Sequence, residues 1–505
     1  MTALEAVLTV AACVVLLGLF ALGVRRPIVA LAVLLFGLAF HSLVIVLARE
    51  WIGEGNPPLV TLGLWKEAIV AGLAAPLARS AVAAVRRVTL GPRRWTGQAF
   101  RTSVSAAVRD SDGSLSMWLI VLLLGLLVLE VPVSIARGNP VSAVVLDWRG
   151  LAVPFIALLA VRGRRIRVDD ALLAVRAAVV AGGAVALFSY FQVLVLGFGF
   201  LNTFYRDPGA PLSTAYRVSV SAVKTPRAIG GHIGPNEFGL FLVVLLAGYL
   251  ILLLRRPASP AARRIQVASG YAMVIALVIT YSRSAWVAAG IAIAVLAVAA
   301  VGHPGSLEWI RTRSRSVVLT SLVALAVLGG IVTASGVFQV AEATVKGTDP
   351  SAAGRVTSIS KGVGASLRNP LGLGLGTAGP RAYAIDPTAV RTESWYIVAT
   401  VELGWAGAAL LAATLLSLSR DLIRGWRQKM ADAVPATAAW FGALSGALVI
   451  PALFDLPASI PLFVLVGLAS VPALAGGSAV IERTSVPDLS PQDSPARRPS
   501  PELRG

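Results

Sequence analysis

The chain has 505 residues, of which 56% are hydrophobic and 14% charged, with a mean hydropathy of +0.79. That much apolar surface exceeds what a soluble core can use, and repeated apolar runs of about 20 residues point to an all-α polytopic membrane protein. The balance of 44 Lys and Arg against 25 Asp and Glu leaves a net charge of +19, yet no RNA- or DNA-binding motif accompanies it. Most of the basic residues lie in short loops, where they fix topology or meet anionic membrane lipid, so no nucleic acid partner is expected.

In chain order the apolar runs predict about 12–13 transmembrane helices, near 4–24, 27–48, 58–78, 115–134, 142–161, 171–198, 235–254, 265–282, 284–301, 316–338, 394–416, 434–454 and 457–476. The first lacks a basic leader and an A-x-A site, so it reads as a span and not a cleaved signal. It holds Cys13, the only cysteine, which excludes an intramolecular disulfide and a cysteine metal site. Arg25, Arg79, Arg162, Arg255, Arg311 and Arg420 each open a basic loop, and these loops alternate along the chain. Placing them in the cytoplasm puts the N-terminus outside and the C-terminus inside a multi-pass plasma-membrane protein. The transmembrane domain is 1–476, and the Pro-, Ser- and charge-rich stretch 477–505 reads as a disordered cytoplasmic tail.

Two long loops, 199–234 and 339–393, then face outward. The first carries Arg206, Arg217, Lys224 and Arg227, and the second Lys346, Arg355, Lys361, Arg368, Arg381 and Arg391. Cations on that face call for a reason, and an anionic ligand is the simplest. Within the second loop, Val356, Ile359, Val363 and Leu367 recur at helical spacing and predict an amphipathic helix lying against the membrane. Asn369-Pro370 breaks it, and a Gly-rich turn follows at 372–376. That turn lacks the GK[ST] of a phosphate-binding loop and sits outside a strand–helix context, so it is not a nucleotide site.

Arg283 interrupts about 35 apolar residues in the turn TYSRSAW between two spans. It either snorkels to the interface or binds phosphate bidentately, with Ser282 capping the next span. Arg227 lies in TPRAIGGHIGPNEFG, where Gly230, Gly231 and Gly234 permit tight bending and Pro235 suits a first helical turn. His232, a lone histidine, is more often structural, but it is kept as an accessory candidate with Asn236, which begins the next span beside Glu237. Arg355 is a better site candidate than Arg368, and Arg391 is a further accessory cation. Glu393, at the mouth of a span, is either a helix N-terminal acid or a general base. Lys66-Glu67 are costly in lipid and call for partners, and Asp147-Trp148-Arg149 lie near the outer end of the fifth span, so Lys66 and Arg149 join the accessory set.

The turn at 280–286, the PN-x-F-G at 235–239, the R-x(12)-R-N-P-L-G-x-G-x-G at 355–376 and the E-S-x-Y-x(5)-E-L-G-x-x-G at 393–407 together resemble the O-antigen ligase and polymerase superfamily, across a core of 225–410. The resemblance implies a type-C glycosyltransferase-like fold with a large extracytoplasmic helical loop. It implies an inverting, metal-independent transferase without a cofactor, which takes a glycan from a polyprenyl diphosphate such as undecaprenyl diphosphate. The acceptor is a hydroxyl of a glycan, lipid or protein on the outer face of the membrane, and the product belongs to the cell envelope. Arg227, Arg283 and Arg355 match the positions that would neutralise the diphosphate, and Glu393 stands as the base. One departure is that many such ligases carry His-Asn where this chain has Glu393-Ser394. The rival reading is a transporter or lipid flippase, which would show inverted repeats and broken helices near mid-membrane. No clear internal repeat is visible in the sequence.

Overall fold

The computed structural model describes residues 3–52, 57–89, 115–197, 200, 216–218, 224–255, 259–301, 350–428, 430 and 432–470. Backbone in hydrocarbon must satisfy its own hydrogen bonds, and the apolar runs accordingly form helices. The order is α1 (Ala3–Arg25), α2 (Pro27–Leu38), α3 (His41–Ile52), α4 (Pro57–Leu62), α5 (Trp65–Thr89), α6 (Leu115–Ala136), α7 (Val141–Gly163), α8 (Leu172–Phe191), α9 (Pro235–Leu254), α10 (Pro260–Ile279), α11 (Arg283–Val301), α12 (Pro350–Arg368), α13 (Gly379–Ile385), α14 (Trp395–Arg427), α15 (Ala433–Gly446) and α16 (Leu456–Ala469). A π-turn, Gln192–Leu196, prolongs α8, and a short ribbon pairs β1 (Tyr216–Val218) antiparallel with β2 (Lys224–Pro226).

Among the described residues, seven helices are long and apolar enough to cross a membrane, and the bent pair α2–α3 makes an eighth candidate. This is an all-α polytopic membrane protein. The predicted span 316–338, the tail 477–505 and much of the loop 199–234 lie outside the described residues. Beyond the break in 394–416 described below, three predicted spans differ in detail. The run 27–48 bends by 61° between α2 and α3. A Cβ on Gly231 would stand 2.4 Å from the Ala39 carbonyl oxygen at that bend, and Leu43 N–H donates to the Gly231 carbonyl at 3.1 Å. The run 58–78 divides into α4 and α5 just before Lys66 and Glu67. The run 434–454 leaves the helix at Gly446 and continues irregularly to a 3-10 turn, Ala452–Phe454.

Small residues set the closest crossings, as dispersion packing in lipid favours. A Cβ on Gly72 would meet the Phe20 carbonyl oxygen at 2.2 Å, and one on Gly442 would meet Ala288 O at 2.5 Å, so α1–α5 and α11–α15 pack backbone to backbone. Large buried side chains, among them Trp395, Trp440, Phe155 and Phe463, fill the centre. Leu4, Val7, Val14 and Leu17 of α1 point outward, as lipid-facing residues do.

Polar contacts gather at both ends of the bundle. At one end Arg162 pairs with Asp421 at 3.1 Å, Arg255 pairs with Asp169 at 2.9 Å and with Asp432, and Arg164 donates to the carbonyls of Gly23, Gly72 and Leu73. The other end holds Arg149–Glu67, Arg355–Glu393 and Arg381–Asp455. The second end contains the sequence-predicted site residues.

Candidate functional site

The platform of the site is a broken helix. Gly404 in α14 has φ 69° and ψ −179°, which stops the regular ladder and frees the carbonyls before it. The Gly-rich segment fills the gap. Leu373 N–H donates to Val401 O at 2.8 Å and Gly374 N–H to Glu402 O at 3.0 Å, while Trp405 N–H returns to Pro370 O at 2.9 Å. Gly372, Gly374 and Gly376 have φ between 78° and 94°, and a Cβ on any of them would sit 2.5–2.8 Å from a neighbouring atom. The predicted tight turn is therefore a strand-like wedge between α14 and the α6–α7 hairpin, where Asn139 donates to Leu373 O and Leu375 O, and Leu375 N–H to Ser134 Oγ.

The Glu402 carboxyl, fully buried, closes this wedge. Its Oε1 accepts from Gly376 N–H at 3.0 Å and Ala378 N–H at 3.4 Å. The Asp147 carboxyl of α7 is its neighbour. The wedge leads directly into α13, which presents Arg381 to Asp455 at 3.7 Å.

Arg283 opens α11 after a turn in which Tyr281 takes φ 49°. Ser282 caps the helix as predicted, its Oγ accepting from Ala285 N–H at 3.3 Å and donating to Asn236 Oδ1 at 2.9 Å. Arg227 is stitched to the same turn: Nε donates to Thr280 O at 2.8 Å, and one terminal nitrogen to Asn236 Oδ1 at 3.2 Å and Tyr281 O at 3.4 Å. Arg227 and Asn236 thus hold the shape of the loop that carries Arg283. The turn meets the far end of α15, where Gly446 lies beside the Ser284 carbonyl. One residue on, Ala447 O accepts from Trp395 N–H at 3.1 Å, two residues after Glu393. Glu393 receives Arg355 of α12 at 3.3 Å. The segments that carry Arg283 and Glu393 therefore both meet one end of α15, and Arg355 joins them through Glu393.

α12 is helical where predicted, and its two faces differ. Ser358, Ala365 and Ser366 are buried against α14, and a Cβ on Gly362 would meet Ile397 at 2.5 Å. The apolar residues Val356, Val363 and Leu367 are exposed. Arg391 is exposed too and lies over the Tyr383 ring, 5.5 Å from its centroid.

Residues 268–412 match the O-antigen ligase family. The match starts within α10 and ends within α14, so it includes Arg283, Arg355, Arg381, Glu393 and Glu402 together with the wedge between them. Over that segment, rather less than a third of its length, the chain is similar to the O-antigen ligase family. No curated protein matches the chain.

The accessory candidates Lys66, Arg149 and His232 form a neighbouring network, outside the matched segment. Lys66 Nζ contacts His41 Nε2 at 2.8 Å and Gly63 O at 2.9 Å, and lies 3.7 Å from Glu67. Arg149 Nε donates to Glu67 at 2.9 Å. His232 is fully buried between Phe238 and Phe241, with Nδ1 3.7 Å from Asp455. Sequence reasoning singled out no role for His41, Glu402 or Asp455 and treated Arg381 only as a loop cation. Two signals pointed to Glu402: it is the second acid of the motif at 393–407, and it is an acid inside an apolar run, which in lipid demands a partner.

Proposed function

We propose that the protein is a glycosyltransferase that moves a glycan from a polyprenyl diphosphate to an acceptor hydroxyl at the outer face of the plasma membrane. The observation that carries this is the O-antigen ligase match across the segment that holds Arg283, Arg355 and Glu393. Arg283 and Arg355 bind the diphosphate, and Arg227 supports them by shaping the Arg283 turn. Fixed guanidinium groups at a dry membrane edge stabilise charge that grows on the leaving diphosphate, and no metal is required for this.

Glu393 acts as the base. The acceptor O–H gives its proton to the Glu393 carboxylate and the oxygen bonds to the anomeric carbon. The bond from that carbon to the diphosphate breaks, and its electron pair leaves with the diphosphate, so attack from the opposite face inverts the centre. In the free protein Arg355 occupies Glu393 at 3.3 Å. An arriving diphosphate, with about two to three negative charges, competes for that guanidinium and releases the carboxylate for the acceptor.

The transporter reading predicts broken helices, and among the described residues these include the breaks at α2–α3 and at Gly404. Backbone fills both, Gly231 in the first and residues 372–374 in the second. The transferase reading accounts for these breaks as sockets that fix loops.

The test uses the purified chain in nanodiscs with an undecaprenyl-diphosphate-linked oligosaccharide. Wild type is expected to bind undecaprenyl diphosphate and to release it as glycan is transferred. Arg283→Ala is expected to lose binding, and Glu393→Gln to bind but not turn over. Absence of carrier binding by wild type, with transport activity in liposomes, would overturn the reading in favour of a flippase.

A further inference from the structure

Asp455 takes the N-cap position of α16, where an aspartate ordinarily turns its carboxylate back onto the first N–H groups of the helix. Here it makes no side-chain cap bond. The side chain, only 6% exposed, lines a cavity of about 70 Å³ with Asp147, Glu237, Arg381, Ile233 and Phe454. Arg381 stands 3.7 Å from one of its oxygens, and His232 Nδ1 stands 3.7 Å from the other. Both separations exceed a hydrogen bond. Asp455 Oδ2 and both ring nitrogens of His232 have no hydrogen-bond partner. A carboxylate buried in this way is costly unless something donates to it. One hydroxyl oxygen can sit within hydrogen-bonding distance of both Asp455 and Arg381 across a 3.7 Å gap.

The lining decides the class of ligand. Three carboxyl groups stand beside one guanidinium, a set richer in hydroxyl acceptors than in the donors a diphosphate needs. Carboxylates accept from hydroxyls, and the apolar wall at Ile233 and Phe454 suits the C–H face of a sugar. The cavity opens outward, so a sugar can present one edge to its lining, such as a hydroxymethyl group or two adjacent hydroxyls.

We propose that this acidic cavity receives the hydroxyl-bearing edge of the acceptor sugar, with Asp455 and Glu237 accepting its hydroxyl hydrogens and Arg381 donating to its oxygens. The assignment rests on the transferase reading above and divides the site in two: arginines for the donor diphosphate, carboxylates for the acceptor. The experiment is saturation-transfer NMR on the full chain in nanodiscs, with methyl glycosides of glucose, galactose, mannose and N-acetylglucosamine, and with glucosamine as a cationic comparator. Undecaprenyl diphosphate binding is measured alongside. At least one neutral glycoside is expected to bind wild type, and Asp455→Asn and Glu237→Gln to weaken it at least tenfold while carrier binding stays within twofold. Retained carrier binding also shows that each variant is folded. The proposal is overturned if no neutral glycoside binds wild type, if both variants bind it unchanged, or if glucosamine alone binds. Glycoside binding that obeys these expectations without any carrier binding would sink the transferase reading and leave the sugar site standing.

Discussion

Replacing Glu402 tests whether one buried carboxyl organises the wedge. In Glu402→Ala the N–H groups of Gly376 and Ala378 lose their acceptor in a region closed to water. An unsatisfied buried donor costs about 1–3 kcal/mol, so the two together cost about 2–6 kcal/mol. Near the middle of that range, about 4 kcal/mol, the local opening constant rises about 1,000-fold. Glu402→Gln behaves differently. Its amide oxygen still accepts from both N–H groups, and its NH₂ can donate to Asp147, so it is expected to cost less than about 1 kcal/mol. Hydrogen exchange resolved to the amides of Gly374, Gly376 and Ala378 reads the difference directly. Glu402→Ala should lose two to four decades of protection there, and Glu402→Gln less than one. Equal protection in wild type and Glu402→Ala would refute the argument, as would equal damage in the two variants.

The wedge makes a second stability prediction: Gly372→Ala, with φ 81° and a Cβ 2.5 Å from two backbone atoms of α14, should prevent stable folding, while Gly138→Ala, with φ 88° and open space around it, should cost only about 1–2 kcal/mol in a detergent melt. Arg283→Ala is expected to lower turnover about 100- to 1,000-fold, and Arg283→Lys to recover only part of it, because an ammonium lacks the bidentate fork. Arg355→Ala removes the guanidinium that stands 3.3 Å from Glu393 and should weaken carrier binding, read by titrating the chain with undecaprenyl diphosphate, with Arg355→Lys recovering only part of it. At the opposite end of the bundle, Asp421→Ala strands the buried Arg162 and should destabilise by about 3–5 kcal/mol, with carrier affinity unchanged.

The spans were legible because lipid permits so few backbone solutions: a run of about 20 apolar residues has little choice but to be a helix. The breaks inside them were not. Nothing local to Gly404 says that the ladder stops there, since the replacement donors at Leu373 and Gly374 lie about 30 residues earlier in the chain. Arg283 and the Ser282 cap followed from an arginine set in a tight interhelical turn. Arg227 was read as a phosphate ligand, but its carbonyl partners Thr280 and Tyr281 belong to another loop and could not be read from spacing. Asp455 was missed because an aspartate ahead of an apolar helix looks like an ordinary cap, and only the fold shows that it caps nothing.

α12 has one face on protein and the other, with Leu367 65% exposed and Leu371 just beyond it 84% exposed, turned away from the bundle. An amphipathic helix seated in this way floats at the boundary between headgroups and acyl chains. The arginine it carries is then indexed to the bilayer as well as to the bundle. In the proposed reaction the lipid-linked diphosphate lies at a depth set by the same boundary, so protein and donor share one ruler. A membrane that is thinner or thicker than the bundle would displace the two together, and the register between guanidinium and phosphate would survive changes in lipid composition.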